Sequence, residues 1–443
     1  MKNPLGPAKP IARRGWGSLG PGSRYREWLM ASVITGSAQI GAQLLAFVSG
    51  LLVLRLLPPD QYAYYTIATA VSGSMVVLAD CGLTNAVLTQ GGAHWQDRAA
   101  LGTIINTGLA LRVRLGCIVA ALCAPLLIFL LMRQGCGLWE ALALTLALQP
   151  AFFLGMNYQV MEVAPRLHQR ILPLQRLQLL ANAARAALTS GSILALPYAF
   201  IASLAAALPQ FWVNRRLRRL TNEHANPQSA PDPQVRARML EQVKRSAPGS
   251  IYYALSGQIS VWLVSVFGTT ASVATVGALG RLAVAFSALA LVFNTLAVSR
   301  FARIPASEPQ RILARFWQSQ ALLALACAGP LATLWMFPRT VLSILGPHYA
   351  DYPDEALLMG ISGAVGIMNA AAYGLGAARG LITPPALTIP LSIAVQVALI
   401  SLLRVDTVNG VIWLGLLTTT SILLLTNAYL FEKLRRQAKR LQT

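Results

Sequence analysis

Arg281 stands in "TVGALGRLAVAFSALALVF", with apolar residues for several turns on either side. A guanidinium keeps its charge, and its planar fork matches phosphate or carboxylate oxygens two at a time. Ionisable groups inside membrane helices are costly and mark functional paths. The chemistry on offer is neutralisation of an anion away from water. The structural alternative is snorkelling, or pairing with a buried polar group.

Other groups offer related chemistry. Arg112 and Arg114 lie near the start of an apolar helix and could guide an anionic headgroup, although snorkelling accounts for them more simply. Arg176 and Arg185 are nine residues apart, two and a half helical turns, which places them on roughly opposite faces. They do not form one site, though either could face a cavity. Asp80 and Glu162 are candidate proton- or cation-coupling carboxylates, both close to helix ends where water solvates them. Gln39 and Gln43 share one helix face and could bond sugar hydroxyls or glue helices together.

Other chemistries find little here. The cysteines (Cys81, Cys117, Cys123, Cys136, Cys327) have no metal-ligand or disulfide spacing and read as small buried residues. His94, His168, His224 and His348 give no zinc or triad pattern. "GLGAARG" (374–380) has no preceding strand, so close helix packing explains it better than a phosphate loop. No cofactor and no metal is called for.

The elements that must position these residues follow from composition. The chain is 55% hydrophobic and 12% charged over 443 residues, with a mean hydropathy of +0.56. Soluble domains carry about 25% charged residues, so a bilayer is the expected solvent. Twelve apolar segments fit helices near 29–54, 61–83, 111–132, 138–160, 174–195, 198–215, 249–267, 273–299, 316–345, 354–378, 384–403 and 409–431. Residues 98–111 extend the third helix into the cytoplasm. Segments such as "ALQPAFF", "AAALPQFW" and "LITPPALTIP" could kink their helices.

The net charge of +21 raises nucleic acid as a partner, but its placement excludes that reading. Basic residues collect in the N-terminal tail, "NRRLRRL", "VRARMLEQVKR", Arg300 to Arg315 and the ending "EKLRRQAKRLQT", between or beyond the apolar runs. The positive-inside rule places such clusters in the cytoplasm, against anionic lipid. Both termini are then cytoplasmic, and no cleavable signal peptide is visible. The expected organisation is a basic tail (1–28), a first six-helix bundle (29–215), a cytoplasmic linker (216–247), a second bundle (248–431) and a basic tail (432–443). "SAQIG" (37–41) echoes "SGQIS" (256–260), a weak sign of the internal duplication common in transporters.

The segment "LVLRLLPPDQYAYYTI" (53–68) is the expected outward-facing elbow between the first two helices. Pro58 and Pro59 stop the helix, while Tyr62, Tyr64 and Tyr65 suit an interface as amphipathic anchors. Through Arg55, Leu57, Pro59, Tyr62 and Tyr65 this elbow resembles the Arg-x-Leu-x-Pro-x-x-aromatic-Gly-x-Tyr pattern of polysaccharide and O-antigen flippases. Those proteins belong to the multidrug/oligosaccharidyl-lipid/polysaccharide (MOP) exporter superfamily. Ala63 stands where that family has glycine. "LADCGLTNAV" (78–87) is similar to the family's Asp-x-Gly-Leu segment, through Asp80, Gly82 and Leu83. "VGALGRLAVAF" resembles its Gly-x-x-x-x-Arg-like pattern without the frequent tyrosine. The sharp motifs are confined to the first half.

The resemblance implies an all-α polytopic fold with two pseudo-symmetric six-helix bundles around a cationic central cavity. It implies translocation of undecaprenyl-pyrophosphate-linked oligosaccharide by alternating access to the outer leaflet of a bacterial inner membrane, for O-antigen or exopolysaccharide assembly. The implied partners are that substrate, membrane lipids and other polysaccharide-assembly membrane proteins, with the chain a monomer. A cation-coupled multidrug exporter of the same superfamily is the nearest alternative; intramembrane arginines favour an anionic cargo over organic cations. A membrane-embedded polymerase, ligase or glycosyltransferase needs sizeable loops with catalytic groups, and the outer connections here are short.

Overall fold

The computed structural model describes residues 41–293, 308–379 and 383–440, together with 297, 298, 301, 304 and 381. The described residues are helical and contain no strand. In chain order the helices are α1 (Gly41–Leu56), α2 (Pro59–Asp80), α3 (Leu83–Ala93), α4 (Arg98–Arg133), α5 (Leu138–Met161), α6 (Val163–Leu167), α7 (Ile171–Ala195) and α8 (Ala199–His224). They continue with α9 (Pro233–Ser256), α10 (Ile259–Phe267), α11 (Thr270–Phe293), α12 (Pro309–Met336), α13 (Pro338–Leu345), α14 (Pro353–Ala377), α15 (Pro385–Leu402) and α16 (Val408–Arg440). The expected tail 1–28 and Gln39 lie outside the described residues.

Seven of these helices are long and apolar enough to cross a membrane among the described residues, or eight if α9 and α10 make one bent span. A 25-residue helix is about 37 Å long at about 1.5 Å per residue, enough for a hydrocarbon core of about 30 Å. By length α7 therefore also qualifies, although Gln175, Arg176, Gln178, Asn182 and Arg185 dilute its hydropathy. The outward faces carry Leu122, Leu146, Leu194, Leu325, Val397 and Leu402, all well exposed, as a lipid-facing surface requires. Trp139 and Trp335, near helix ends, are the exposed indoles expected of an aromatic belt.

The joints follow from sequence. Pro58 lies in the break after α1, and Pro59 opens α2, where a missing N–H costs nothing. After Asp80 the chain turns through positive φ at Cys81 (39°) and Gly82 (81°). Helix α9 starts at Pro233 behind Asp232, whose carboxylate accepts from the amides of Gln234 (2.6 Å) and Val235 (3.3 Å).

This start revises the expected linker. Most of 216–247 is helical, split between α8 and α9, and only 225–232 connects them. Val235, Met239 and Val243, four residues apart, form one buried stripe of α9, so a polar sequence still packs as an amphipathic helix. The connector is pinned as well: Asn106 Nδ2 donates to Ser229 O (2.8 Å) and Asn226 N donates to Arg98 O (2.8 Å).

The chain groups into two compact units. Among the described residues the first comprises 41–49, 68–129 and 138–257; the second comprises 50–67, 130–137 and those from 258 onward. Leu83, Val87, Leu101, Ile104, Val160 and Met239 centre the core of the first. Phe286, Phe316, Cys327, Ile367, Leu375 and Leu430 centre that of the second. In the second unit Gly376 packs so closely on Leu430 and the Leu381 carbonyl that a Cβ would collide, which is the helix-packing role read for "GLGAARG".

Candidate functional site

In the second unit, Arg281 lies about midway along α11 and is partly buried. Its Nε donates to the Tyr62 hydroxyl at 3.4 Å. A Cβ on Gly50 would come within 2.7 Å of its Nη1, so the guanidinium rests directly on the Gly50 backbone. Tyr62 stacks on Tyr65 at a centroid distance of 6.5 Å, and Tyr65 also feels the Arg281 charge. The buried Tyr349, in the loop after α13, is the next phenol beside Tyr62. Burial first, and Tyr62 second, pushes the Tyr349 phenol above its ordinary value, so it remains an O–H donor. Among the described residues no carboxylate pairs with Arg281. A fixed cation bonded to a phenol hydroxyl, with further phenols nearby, is a set of groups that can take an oxyanion.

Burial of Tyr62 and Tyr64 corrects their assignment as interfacial anchors: both sides of α2 are covered at that level, and only Tyr65 stays partly accessible. Arg55 bonds the carbonyls of Ile344 (2.8 Å) and Ser343 (2.7 Å), tying the elbow to the end of α13. Pro59 contributes only the helix start. Gln134 adds a second tie, donating to Ser265 O at 2.7 Å and accepting from Thr270 Oγ1 at 3.1 Å.

The first unit holds the other buried arginine. Arg112 on α4 is fully buried, which overturns the snorkelling reading. Its Nη1 pairs with Asp80 and its Nη2 donates to Gln159 Oε1, while Nε has no partner. Asp80 also accepts from Gly82 N (3.1 Å), Thr84 N (3.2 Å) and Thr84 Oγ1 (2.5 Å). The carboxylate therefore caps α3 and neutralises Arg112 together. Both ends of the pair are occupied, a structural arrangement that leaves Asp80 little freedom to exchange a coupling ion.

The remaining candidates do not converge on either arginine. Glu162, at the α5–α6 joint, is buried and pairs with Arg166 at 3.0 Å. Arg114, Arg176 and Arg185 are exposed, and Gln43 is partly buried and bonded. Gly50, Gln134 and Gln159 were not expected in these roles. Only Gly50 left a signal, as a glycine late in an otherwise apolar helix.

The histidines are not all dispersed. His168 and His224 stack at 4.0 Å, with Trp95 edge-on to His168 at 5.3 Å. His168 Nδ1 lies 3.0 Å from Ala164 O. Among the described residues no group of three metal-ligating side chains forms.

No family model and no curated protein matches the sequence. Solved structures do match in fold. The eukaryotic MATE transporter AtDTX14 aligns over 94% of this chain and 99% of its own, with a TM-score of 0.62 at 14% identity. A multidrug-resistance MATE family transporter of the MOP superfamily, in an outward-facing conformation, aligns over 92% and 96% with a TM-score of 0.58 at 13% identity. A MOP-superfamily transporter from Pyrococcus furiosus aligns over 92% and 95% with a TM-score of 0.59 at 11% identity; its binding pocket is described as reversed in polarity, suggesting a different function.

The chain shares the fold of these solved transporters.

That is the all-α multi-pass fold expected from the apolar segments, and the neighbours that share it are named as transporters. Within it, Arg281 belongs to the second unit and Arg112 to the first, and they differ in one chemical respect: Arg112 has a carboxylate and Arg281 has none among the described residues.

Proposed function

We propose that this chain is an alternating-access exporter of an anionic amphiphile. The observation that supports this is Arg281, a partly buried cation whose described partner is the neutral Tyr62 hydroxyl. A charge in such surroundings is costly, and a phosphate or carboxylate on the cargo offsets that cost during binding. Coupling through Asp80 is not part of the proposal, since that carboxylate is committed to Arg112.

Two cargo classes meet this description. The MATE neighbours support an exporter of drug-like compounds more directly than a lipid-linked oligosaccharide flippase. The flippase reading draws on the elbow motif of Arg55, Pro59, Tyr62 and Tyr65 and on the fit of a guanidinium to a pyrophosphate. The Pyrococcus furiosus neighbour is precedent for a pocket of altered polarity within this fold.

The deciding experiment uses purified protein in sealed liposomes with three cargoes: an anionic fluorophore, a cationic fluorophore and an undecaprenyl-pyrophosphate oligosaccharide. Transfer of an anionic cargo by wild type, lost in Arg281→Ala, supports the proposal. Transfer of the cationic dye alone, unchanged in Arg281→Ala, overturns it. The lipid-linked oligosaccharide against the anionic fluorophore then separates the two cargo classes.

Orientation in a bacterial inner membrane with cytoplasmic termini is part of the same proposal, as are the two six-helix bundles bounded at 29–215 and 248–431. Asp60→Cys and Tyr352→Cys should react with impermeant thiol reagents in intact cells, and Gln228→Cys should not. Labelling at 228 alone would reverse the orientation.

A further inference from the structure

Within the first unit, α4, α5 and α8 enclose a groove of about 450 Å³ that the transport proposal does not use. Its lining joins the apolar Leu109, Val113 and Phe211 to the polar Asn157 and the cations Arg215 and Arg218. The two arginines are three residues apart and so share a helix face. The Arg215 guanidinium lies 4.7 Å from the centre of the Phe211 ring, which holds it along the groove. Both arginines are exposed, and neither has a carboxylate partner among the described residues. The buried Asn157 Oδ1 also lacks a partner.

We propose that this groove is a binding site for an anionic glycerophospholipid of the adjoining leaflet. Three features select that occupant over an apolar ligand or a free anion. The site lies where α8 passes from apolar sequence ("AFIASLAAALPQFWV") to the basic run "NRRLRRL", which is the level of lipid headgroups. The groove joins an apolar wall to paired cations, matching an acyl chain continuous with a phosphodiester. Asn157 supplies an unused acceptor for a headgroup or glycerol hydroxyl.

A groove in the second unit sharpens the choice. It measures about 540 Å³ and also carries arginines, Arg311 and Arg315. Arg311 pairs with Glu308 at 2.8 Å and Arg315 bonds Gln318 at 3.3 Å. Those cations are already partnered, whereas Arg215 and Arg218 are available.

Arg216 and Arg219 make the control, because they share the run but do not line the groove. The purified full chain would be titrated with dioleoyl-phosphatidylglycerol and followed by native mass spectrometry, with dioleoyl-phosphatidylcholine and sn-glycerol 3-phosphate as comparison probes. The expected result is one tightly retained phosphatidylglycerol, weakened at least tenfold in Arg215→Gln/Arg218→Gln and retained in Arg216→Gln/Arg219→Gln. Val113→Trp, at an exposed position, should fill the groove and displace the lipid without removing charge. Equal weakening by both double variants would reduce the effect to diffuse charge and overturn the site. Equal retention of phosphatidylcholine, or displacement by glycerol phosphate, would overturn it too.

Discussion

Each unit places an arginine within its helices, and the two solve the resulting electrostatic problem differently. In the first, Arg112 is enclosed completely and meets Asp80, with Gln159 and Thr84 completing the network. In the second, Arg281 meets one weakly held phenol and rests on a glycine backbone. A neutralised buried charge holds helices in register; a charge without a counter-ion is available to something that arrives from outside. Residue type does not separate these roles, but the presence of a carboxylate does.

The contrast breaks most severely at Arg112. Arg112→Ala leaves Asp80 beside apolar helices without its cation, a loss of about 3–5 kcal/mol for a broken buried pair. A large fall in thermal stability in detergent is expected, with part of it recovered in Arg112→Leu/Asp80→Asn, which keeps an acceptor for the Gly82 and Thr84 amides. Arg281→Ala should behave in the opposite way: melting temperature close to wild type, transport of anionic cargo lost. If both single variants melt alike, the distinction between the two arginines fails.

Gly50→Ala probes the same contrast more gently. Its methyl group would push on the Arg281 guanidinium, so a several-fold rise in KM is expected at nearly unchanged stability. That measurement needs only the transport assay and a melting curve.

The smallest effect concerns His224, in the basic end of α8. Burial first, then His168, with Arg170 and Arg98 adding to the depression and Glu223 opposing it, lowers its pKa below the ordinary histidine value. A depressed histidine pKa means the unfolded chain takes up the proton first, so this contact is stabilising above the ordinary value. The contribution falls as the pH drops through that value toward the lower folded one. Trp95 fluorescence should therefore change on acidification below about pH 6.5, the ordinary histidine value, and the change should be blunted in His224→Gln.

Much of the architecture was legible because bilayer thickness imposes helices of one length and polarity. The breaks at Pro58 and after Asp80 carry their own chemistry in proline and in Gly82. The helical nature of 216–247 was legible too, in the spacing of Val235, Met239 and Val243 behind Asp232-Pro233, but polar composition masked it. The partner of an arginine was not legible. Arg112 and Asp80 are 32 positions apart, and only the fold brings them together. Tyr62 and Tyr64 misled for the same reason, because amphipathic anchors and buried hydroxyl donors look alike until neighbouring helices are placed.

Asp80 has one more consequence, for the order in which the chain is made. An arginine enclosed by helices without a counter-ion is costly to keep charged. Synthesis proceeds from the N-terminus, so α2 and α3 are made before α4. The carboxylate and the Gly82 and Thr84 amides that hold it lie within that earlier stretch, so the counter-ion of Arg112 is already made when Arg112 emerges.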